Sequence, residues 1–270
     1  MRTALVTGAS SGIGLATARA LQDKGFRVIG TSRDPESIPS GLRVPGVTYL
    51  PLDLTDPASI TACARDVLVA GGSVDVLVNN AGESQSGPLE ELPAEALERL
   101  FQLNVLGPIA LTQQLLPGMR ERRFGRVVMV GSMIGSFPLP YRSSYAATKA
   151  AIRAFSTAAR EELIPYGVWL TTVEPGSINT GISDRRTKYV ADDSPYRAEC
   201  DRVIEILDRK EASGTSADDV AETIMAAIEA AKPKSLYARG SMAPVVFALR
   251  RVAPRGVVEK ITSRMFGIRH

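Results

Sequence analysis

Seven short runs rich in valine, isoleucine and leucine recur at residues 2–7, 27–32, 47–52, 74–79, 126–131, 168–173 and 235–238, and helical patterns of ten or more residues separate most of them. Runs with so little polar alternation are buried on both faces. The pattern predicts an α/β fold, a single doubly wound and mainly parallel sheet of about seven strands with helices on both faces. Ligands of such sheets lie beyond the carboxyl ends of the strands. Those ends read Thr7-Gly8, Ser32-Arg33, Asp53, Asn80-Ala81-Gly82, Ser132 and Glu174-Pro175-Gly176. Among the helices, Asp56 is an N-cap before Pro57 at the first helical position, and Gly25 stands where a C-terminal glycine is expected. Leu92-Pro93 opens a long helix toward Met119.

A chain of 270 residues, 44% hydrophobic, can bury a full core, and no linker, low-complexity run or repeat divides it. We expect one domain over residues 1–238. It includes a substrate lid at about 177–214, where sheet periodicity fades and Asp184-Arg185-Arg186-Thr187-Lys188 clusters charge. Residues 239–270 form a basic helical extension, with seven basic residues against one acid, so +6 of charge lies there and −3 in the remainder. Docking of this extension on or near the same domain, through Val258, Ile261 and Met265, is favoured over peripheral contact with a membrane. No nucleic-acid recognition motif accompanies it.

Histidine is informative by its scarcity: the only one is His270. This argues against a Ser-His-Asp triad and against histidine-ligated zinc, so no metal is expected. Acids and bases must come from Tyr, Lys, Asp, Glu or a cofactor. Cys63 and Cys200 have neither metal-ligand nor redox spacing, which suits a reducing compartment. The N-terminus reads as a strand entering a glycine turn rather than a signal peptide, and a cytoplasmic protein is the expectation.

The segment Thr7-Gly8-Ala9-Ser10-Ser11-Gly12-Ile13-Gly14 joins the first strand to the first helix. Glycines there allow a tight turn and close approach to a pyrophosphate, and the helix N-terminus adds N–H donors and a favourable dipole. At the other end, Tyr145 and Lys149 are four residues apart on one helical face, whereas Tyr141 has only Tyr145 at that spacing. A carbonyl that accepts hydride needs a proton donor, and a nearby ammonium makes a phenol a better acid.

The Gly-x-x-x-Gly-x-Gly spacing, Asn79-Asn80-Ala81-Gly82 and the Tyr145/Lys149 pair together resemble the short-chain dehydrogenases/reductases, from Thr3 to about Tyr237. That resemblance implies a Rossmann-type fold, an NAD(P)-dependent oxidoreductase acting on CH–OH groups, and a homodimer or homotetramer. Leu139-Pro140-Tyr141, Pro165-Tyr166-Gly167-Val168 and Arg33 look like the hydroxysteroid and retinol dehydrogenase branch. Implied cofactor contacts are Gly8, Ser10, Ser11, Gly12, Ile13 and Gly14 in the loop, Ser32 and Arg33 after the second strand, and Asp53 and Leu54 beside the adenine. Asn80, Ala81 and Gly82 follow on the ribose side, and Tyr145, Lys149, Pro175, Gly176, Ile178 and Thr180 at the nicotinamide. Asp53 also reads as an Asx-turn toward Asp56.

NAD-preferring enzymes place an acid after the second strand; here Ser32 stands there and Arg33 can grip a 2′-phosphate. NADP(H) is therefore expected over NAD(H), unless Asp34 neutralises Arg33. In catalysis the resemblance implies Tyr145 as general acid/base, Ser132 as hydrogen-bond donor to the reacting oxygen, Lys149 lowering the tyrosine pKa, and Asn104 extending a proton relay. Met133, Phe137, Leu139 and Tyr141 would line a pocket for a lipophilic steroid-, retinoid- or ketone-like substrate. The alternative is a non-catalytic NAD(P)-binding sensor or scaffold on the same fold.

Overall fold

The computed structural model describes residues 1–181, 185–252 and 254–268. In chain order its first half comprises β1 (Thr3–Val6), α1 (Gly12–Asp23), β2 (Arg27–Ser32), β3 (Thr48–Pro51), α2 (Pro57–Gly71), β4 (Val76–Asn79), β5 (Gln85–Ser86), α3 (Ala94–Phe101) and α4 (Gly107–Glu121). The second half comprises β6 (Gly125–Val130), α5 (Ser143–Leu163), β7 (Val168–Pro175), β8 (Ile178–Asn179), β9 (Thr187–Lys188), α6 (Arg197–Ala212), β10 (Thr215–Ser216), α7 (Ala217–Glu229), β11 (Leu236–Arg239), α8 (Ala243–Val252) and α9 (Arg255–Met265).

Seven strands form one sheet in the order β11-β7-β6-β4-β1-β2-β3, every neighbour parallel. The chain winds outward from β1 to β3, then returns to β4 and winds the other way. The order thus reverses between β1 and β4, and a crevice opens beyond their carboxyl ends.

Strand pleating explains the two cores. Leu5, Leu77, Val127 and Met129 point to the face covered by α2, α4 and α5, where Ile60, Leu111 and Ile152 meet them. The alternate residues Ala4, Val6, Val76, Val78, Val128 and Val130 point to the other face, against Leu21 of α1 and Val220 and Ile224 of α7. The local signals act as expected: the Asp56 carboxylate accepts the Ala58 amide at 2.9 Å ahead of Pro57, and Gly25 closes α1 with φ +77°.

One expected element differs. The long helix after Leu92-Pro93 is interrupted at Gln102–Leu106 by a wide π-turn. The turn carries a tertiary contact: Asn104 sets its amide on the Glu83 backbone, accepting the Glu83 N–H and donating to the Glu83 carbonyl, both at 2.9 Å. Gly107 then lets α4 pass the loop after β3, since a Cβ there would lie 2.3 Å from the Leu54 carbonyl oxygen.

Candidate active site

A cleft of about 870 Å³ runs across the carboxyl ends of the strands, from Ser32 and Arg33 at one extreme to Tyr145 and Phe266 at the other. At the topological switch, Thr7 and Asn80 brace the glycine loop. The Thr7 hydroxyl accepts the Asn80 and Ala81 amides, both at 3.0 Å, while the Asn80 side chain donates to the Thr7 and Gly8 carbonyls at 2.9 and 3.2 Å. Gly8 and Gly12 take φ of +67° and +53°, where a side chain would be strained. No side chain caps the N-terminus of α1 at Ser11, and Ser11, Gly12 and Ile13 of that helix start line the cleft. An uncapped helix start, a loop of small residues and a crevice at the switch point fit a dinucleotide pyrophosphate.

Of the expected cofactor contacts, Ser10, Ser11, Ile13, Asp53, Leu54, Ala81, Gly82, Pro175, Gly176, Ile178 and Thr180 also line this cleft. Gly14 does not. It sits behind the loop, where a Cβ would lie 2.2 Å from the Gly8 carbonyl oxygen, so its part is close packing of helix on strand. The Asp53 carboxylate is held below its usual pKa by the Thr55 hydroxyl and amide that it accepts at 2.6 and 2.8 Å. It therefore closes an Asx-turn while lining the cleft.

At the adenine end, Arg33 is exposed, and its partner is Glu83 rather than Asp34, at 3.5 Å. Asp34 instead accepts the Glu36 and Ser37 amides. Glu83 is already gripped by Arg99, which lowers its pKa, so Arg33 is only loosely engaged.

At the other end, Ser132 lies at the mouth of β6, its hydroxyl accepting the Ile134 amide at 3.3 Å. Lys149 is buried and donates from Nζ to the Val130 carbonyl at 3.0 Å. Asn104 reaches Thr148 on the same helix at 3.2 Å, and Gly82 separates Asn104 from Lys149, since a Cβ there would lie 3.0 Å from Asn104 Oδ1 and 3.7 Å from Lys149 Nζ. Ser132, Tyr145 and Lys149 all face the cleft, with Asn104 directly behind it.

The electrostatics depart from expectation. Burial pushes the Tyr145 phenol up, and the cation that most opposes this is Arg142, whose guanidinium lies 4.6 Å from the ring centre. Lys149 stands farther away, 5.7 Å from that centre. Burial lowers its own pKa to about 8, so its ammonium is lost before a buried phenol ionises.

Met133, Phe137 and Leu139 line the cleft, but Tyr141 does not. Tyr141 has φ +61°, which turns its side chain toward α6, where its hydroxyl donates to Glu199. Burial and that carboxylate raise its pKa.

The lid region holds more order than its sequence suggests. Arg186 is buried and pairs with Asp208 and Glu211 of α6, and Thr187–Lys188 pairs with β5. Arg185 reaches the cleft, whereas Asp184 lies outside the described residues. In the C-terminal extension, Phe266 and Ile268 pack with Leu139, Tyr145 and Leu207. Of the expected stripe, Ile261 and Met265 are about half exposed, Met265 at the edge of the cleft, and the Val258 side chain lies outside the described residues, as does His270.

Sequence reasoning missed Arg142, the wall formed by Val246, Met265 and Phe266, and a buried brace behind Ser132. In that brace the Ser136 hydroxyl donates to Glu174 at 2.7 Å and accepts from Arg153, which lies 3.6 Å from the same carboxylate. Burial raises the Glu174 pKa. The signal for Arg142 was its place one helical turn before Tyr145.

A profile of the short chain dehydrogenase family matches residues 2–190. Dehydrogenase/reductase SDR family member 7B of Bos taurus is 36% identical over 261 residues, 93% of this chain and 77% of that protein. The 3-ketodihydrosphingosine reductase of Bacteroides thetaiotaomicron is 30% identical over 246 residues, 90% of each chain. Among solved structures, a short-chain dehydrogenase from Streptomyces avermitilis superposes with a TM-score of 0.83 at 35% identity, covering 98% of this chain and 97% of that one. A metagenomic short-chain oxidoreductase in complex with NADP does so with a TM-score of 0.71 at 28% identity, covering 88% and 96%.

Proposed function

The chain belongs to the short-chain dehydrogenase/reductase family of oxidoreductases, and on that premise we propose that it is an NADP(H)-dependent carbonyl reductase or alcohol dehydrogenase for a lipophilic substrate. The observation that carries this reading is the continuous cleft, which joins the braced glycine loop to Ser132, Tyr145 and Lys149. A bound nicotinamide supplies or takes the hydride.

The protein's own groups do the rest. Tyr145 holds a proton at its phenolic oxygen and passes it to the substrate oxygen in reduction, while the Ser132 hydroxyl hydrogen-bonds that oxygen. Burial keeps the phenol protonated, which suits the reductive direction. Lys149 and Asn104 carry the replacement proton inward along the buried side of α5. A loosely held Arg33, with Ser32 where an acid would repel phosphate, supports NADP(H). The neighbour solved in complex with NADP agrees with this.

Phe137, Leu139, Val246, Met265 and Phe266 give the substrate end an apolar wall, which supports a steroid-, retinoid- or long-chain-ketone-like molecule. The relative named 3-ketodihydrosphingosine reductase points the same way. Leu106 and Phe155, exposed on or beside α4 and α5, support a homo-oligomer, which light scattering tests. The test of the central reading is Tyr145→Phe assayed on a panel of ketones and secondary alcohols. It should abolish NADPH-coupled turnover while leaving NADPH binding intact, and retained turnover would refute the assignment.

A further inference from the structure

Four arginines are buried among the described residues, and three are each held by two protein groups, although Nε of Arg126 and of Arg186 is left without a partner. Arg186 pairs with Asp208 and Glu211, Arg160 donates to the Leu170 and Pro233 carbonyls, and Arg126 to those of Gly125 and Ala230. Arg142 is different. It is 2% exposed, yet it makes a single hydrogen bond, to the Ser84 hydroxyl at 2.9 Å, where each of the others makes two. Its Nε and Nη1 atoms have no partner, and no carboxylate among the described residues forms an ion pair with it. Asp208 and Glu211, the acids that face it, are committed to Arg186.

A guanidinium stays charged at neutral pH, and a buried charge without a counter-charge is costly unless something supplies one. Arg142 lines the cleft, so the missing group can enter as part of a ligand. Lys210 and Arg185 line the same cleft beside Glu211, whose carboxylate pairs with Arg186, so two further cations flank the approach.

We infer that Arg142 forms a subsite for an anionic oxygen group, a carboxylate or a phosphate, carried by the substrate close to its reacting carbon; this rests on the reductase reading above. The guanidinium stacks on the ring of Tyr145, whose hydroxyl addresses the carbonyl, so the anion sits within a few bonds of that carbonyl. The apolar wall at Val246, Met265 and Phe266 takes the remainder of the molecule. The substrate class is therefore an amphipathic keto or hydroxy acid or phosphate rather than a neutral sterol.

Two pairs of ketones test this by NADPH oxidation: 3-oxododecanoate against its methyl ester, and 1-hydroxytridecan-2-one phosphate against the free alcohol. For at least one pair, wild-type kcat/KM should favour the anion by about tenfold or more, the pair identifying carboxylate or phosphate. The preference should collapse toward unity in Arg142→Gln and survive in part in Arg142→Lys. In parallel, the NADP⁺-loaded protein should be raised in Tm by decanoate or decyl phosphate more than by decanol, and Arg142→Gln should lose that difference. Equal treatment of anions and neutral partners by the wild type, or a preference that survives in Arg142→Gln, overturns the subsite. Absence of turnover with every ketone would instead overturn the reductase reading, and the melting comparison would still decide the subsite. If Arg142→Gln does not fold, the wild-type ratios and Arg142→Lys decide.

Discussion

Alanine at Gly14 and alanine at Gly8 probe the same loop by different physics. Gly14 lies in the first turn of α1 with an ordinary helical φ, so alanine is conformationally welcome and contributes about 1 kcal/mol of helix propensity. Its Cβ, however, would stand 2.2 Å from the Gly8 carbonyl oxygen and 2.5 Å from Asn80 Nδ2. Contact needs about 3.5 Å, so α1 must retreat by about 1 Å from a position set by its packing on α7. Overpacking of this kind costs about 1–3 kcal/mol, and loss of the two Asn80 bonds to the loop adds about 1 kcal/mol each. The net is a loss of about 2–4 kcal/mol, with the helix start displaced from the pyrophosphate. Gly8→Ala meets nothing nearer than 3.0 Å and is penalised by its φ of +67°, about 1–2 kcal/mol.

Urea denaturation followed by circular dichroism, with NADPH titration by fluorescence, separates the two variants. Gly14→Ala should be the less stable and should bind NADPH at least about tenfold more weakly. Gly14→Ala within about 0.5 kcal/mol of wild type, with unchanged NADPH affinity, would refute the close approach of helix to strand.

Lys149→Met should inactivate the enzyme yet stabilise it at pH 7. Burial lowers the Lys149 pKa from 10.5 to about 8, so carrying the charge costs about 3 kcal/mol, of which the lost bond to Val130 returns about 1. Between pH 8 and 10.5 the unfolded lysine binds a proton that the buried one has lost, so wild-type stability rises with pH and the gap to Lys149→Met should close across that window. Thermal melts of both proteins from pH 7 to 10.5 check the sign. Arg33→Ala should raise KM for NADPH by about tenfold at low salt and leave that for NADH unchanged, because the guanidinium addresses only the 2′-phosphate. Tyr141→Phe, which removes only the bond to Glu199, should cost about 1 kcal/mol in denaturation and leave kcat/KM at the wild-type value.

What could be read from the chain alone was whatever short-range pattern encodes. The run at 27–32 is β2 to the residue, because a strand buried on both faces leaves an uninterrupted apolar signal. Asp56-Pro57 and Gly25 mark helix ends through backbone chemistry that neighbours cannot override. The π-turn was not legible, since five residues are too few to distinguish its period from an α-helix. Tyr141 and Tyr145 look alike in sequence, and only the left-handed backbone at Tyr141 sends one toward α6 and leaves the other at the cleft. The amphipathic stripe in α9 suggested docking through its face, whereas the buried anchors are Phe266 and Ile268 beyond the helix end, with Met265 at the cleft. Arg142 escaped notice because an arginine in a polar turn reads as solvated until its burial is seen.

The wide turn at Gln102–Leu106 contains one residue more than an α-helix needs to join α3 to α4. A one-codon deletion within it would therefore be absorbed as ordinary helix, leaving α3 and α4 in their present alignment. Elsewhere in a helix the same deletion rotates everything downstream by about 100°. Here it would instead carry the amide of Asn104 off the Glu83 backbone and away from Thr148. The gene can thus lose a codon at this place and still encode the fold, but not the arrangement behind Lys149, so length variation here separates folding from catalysis more cleanly than substitution does.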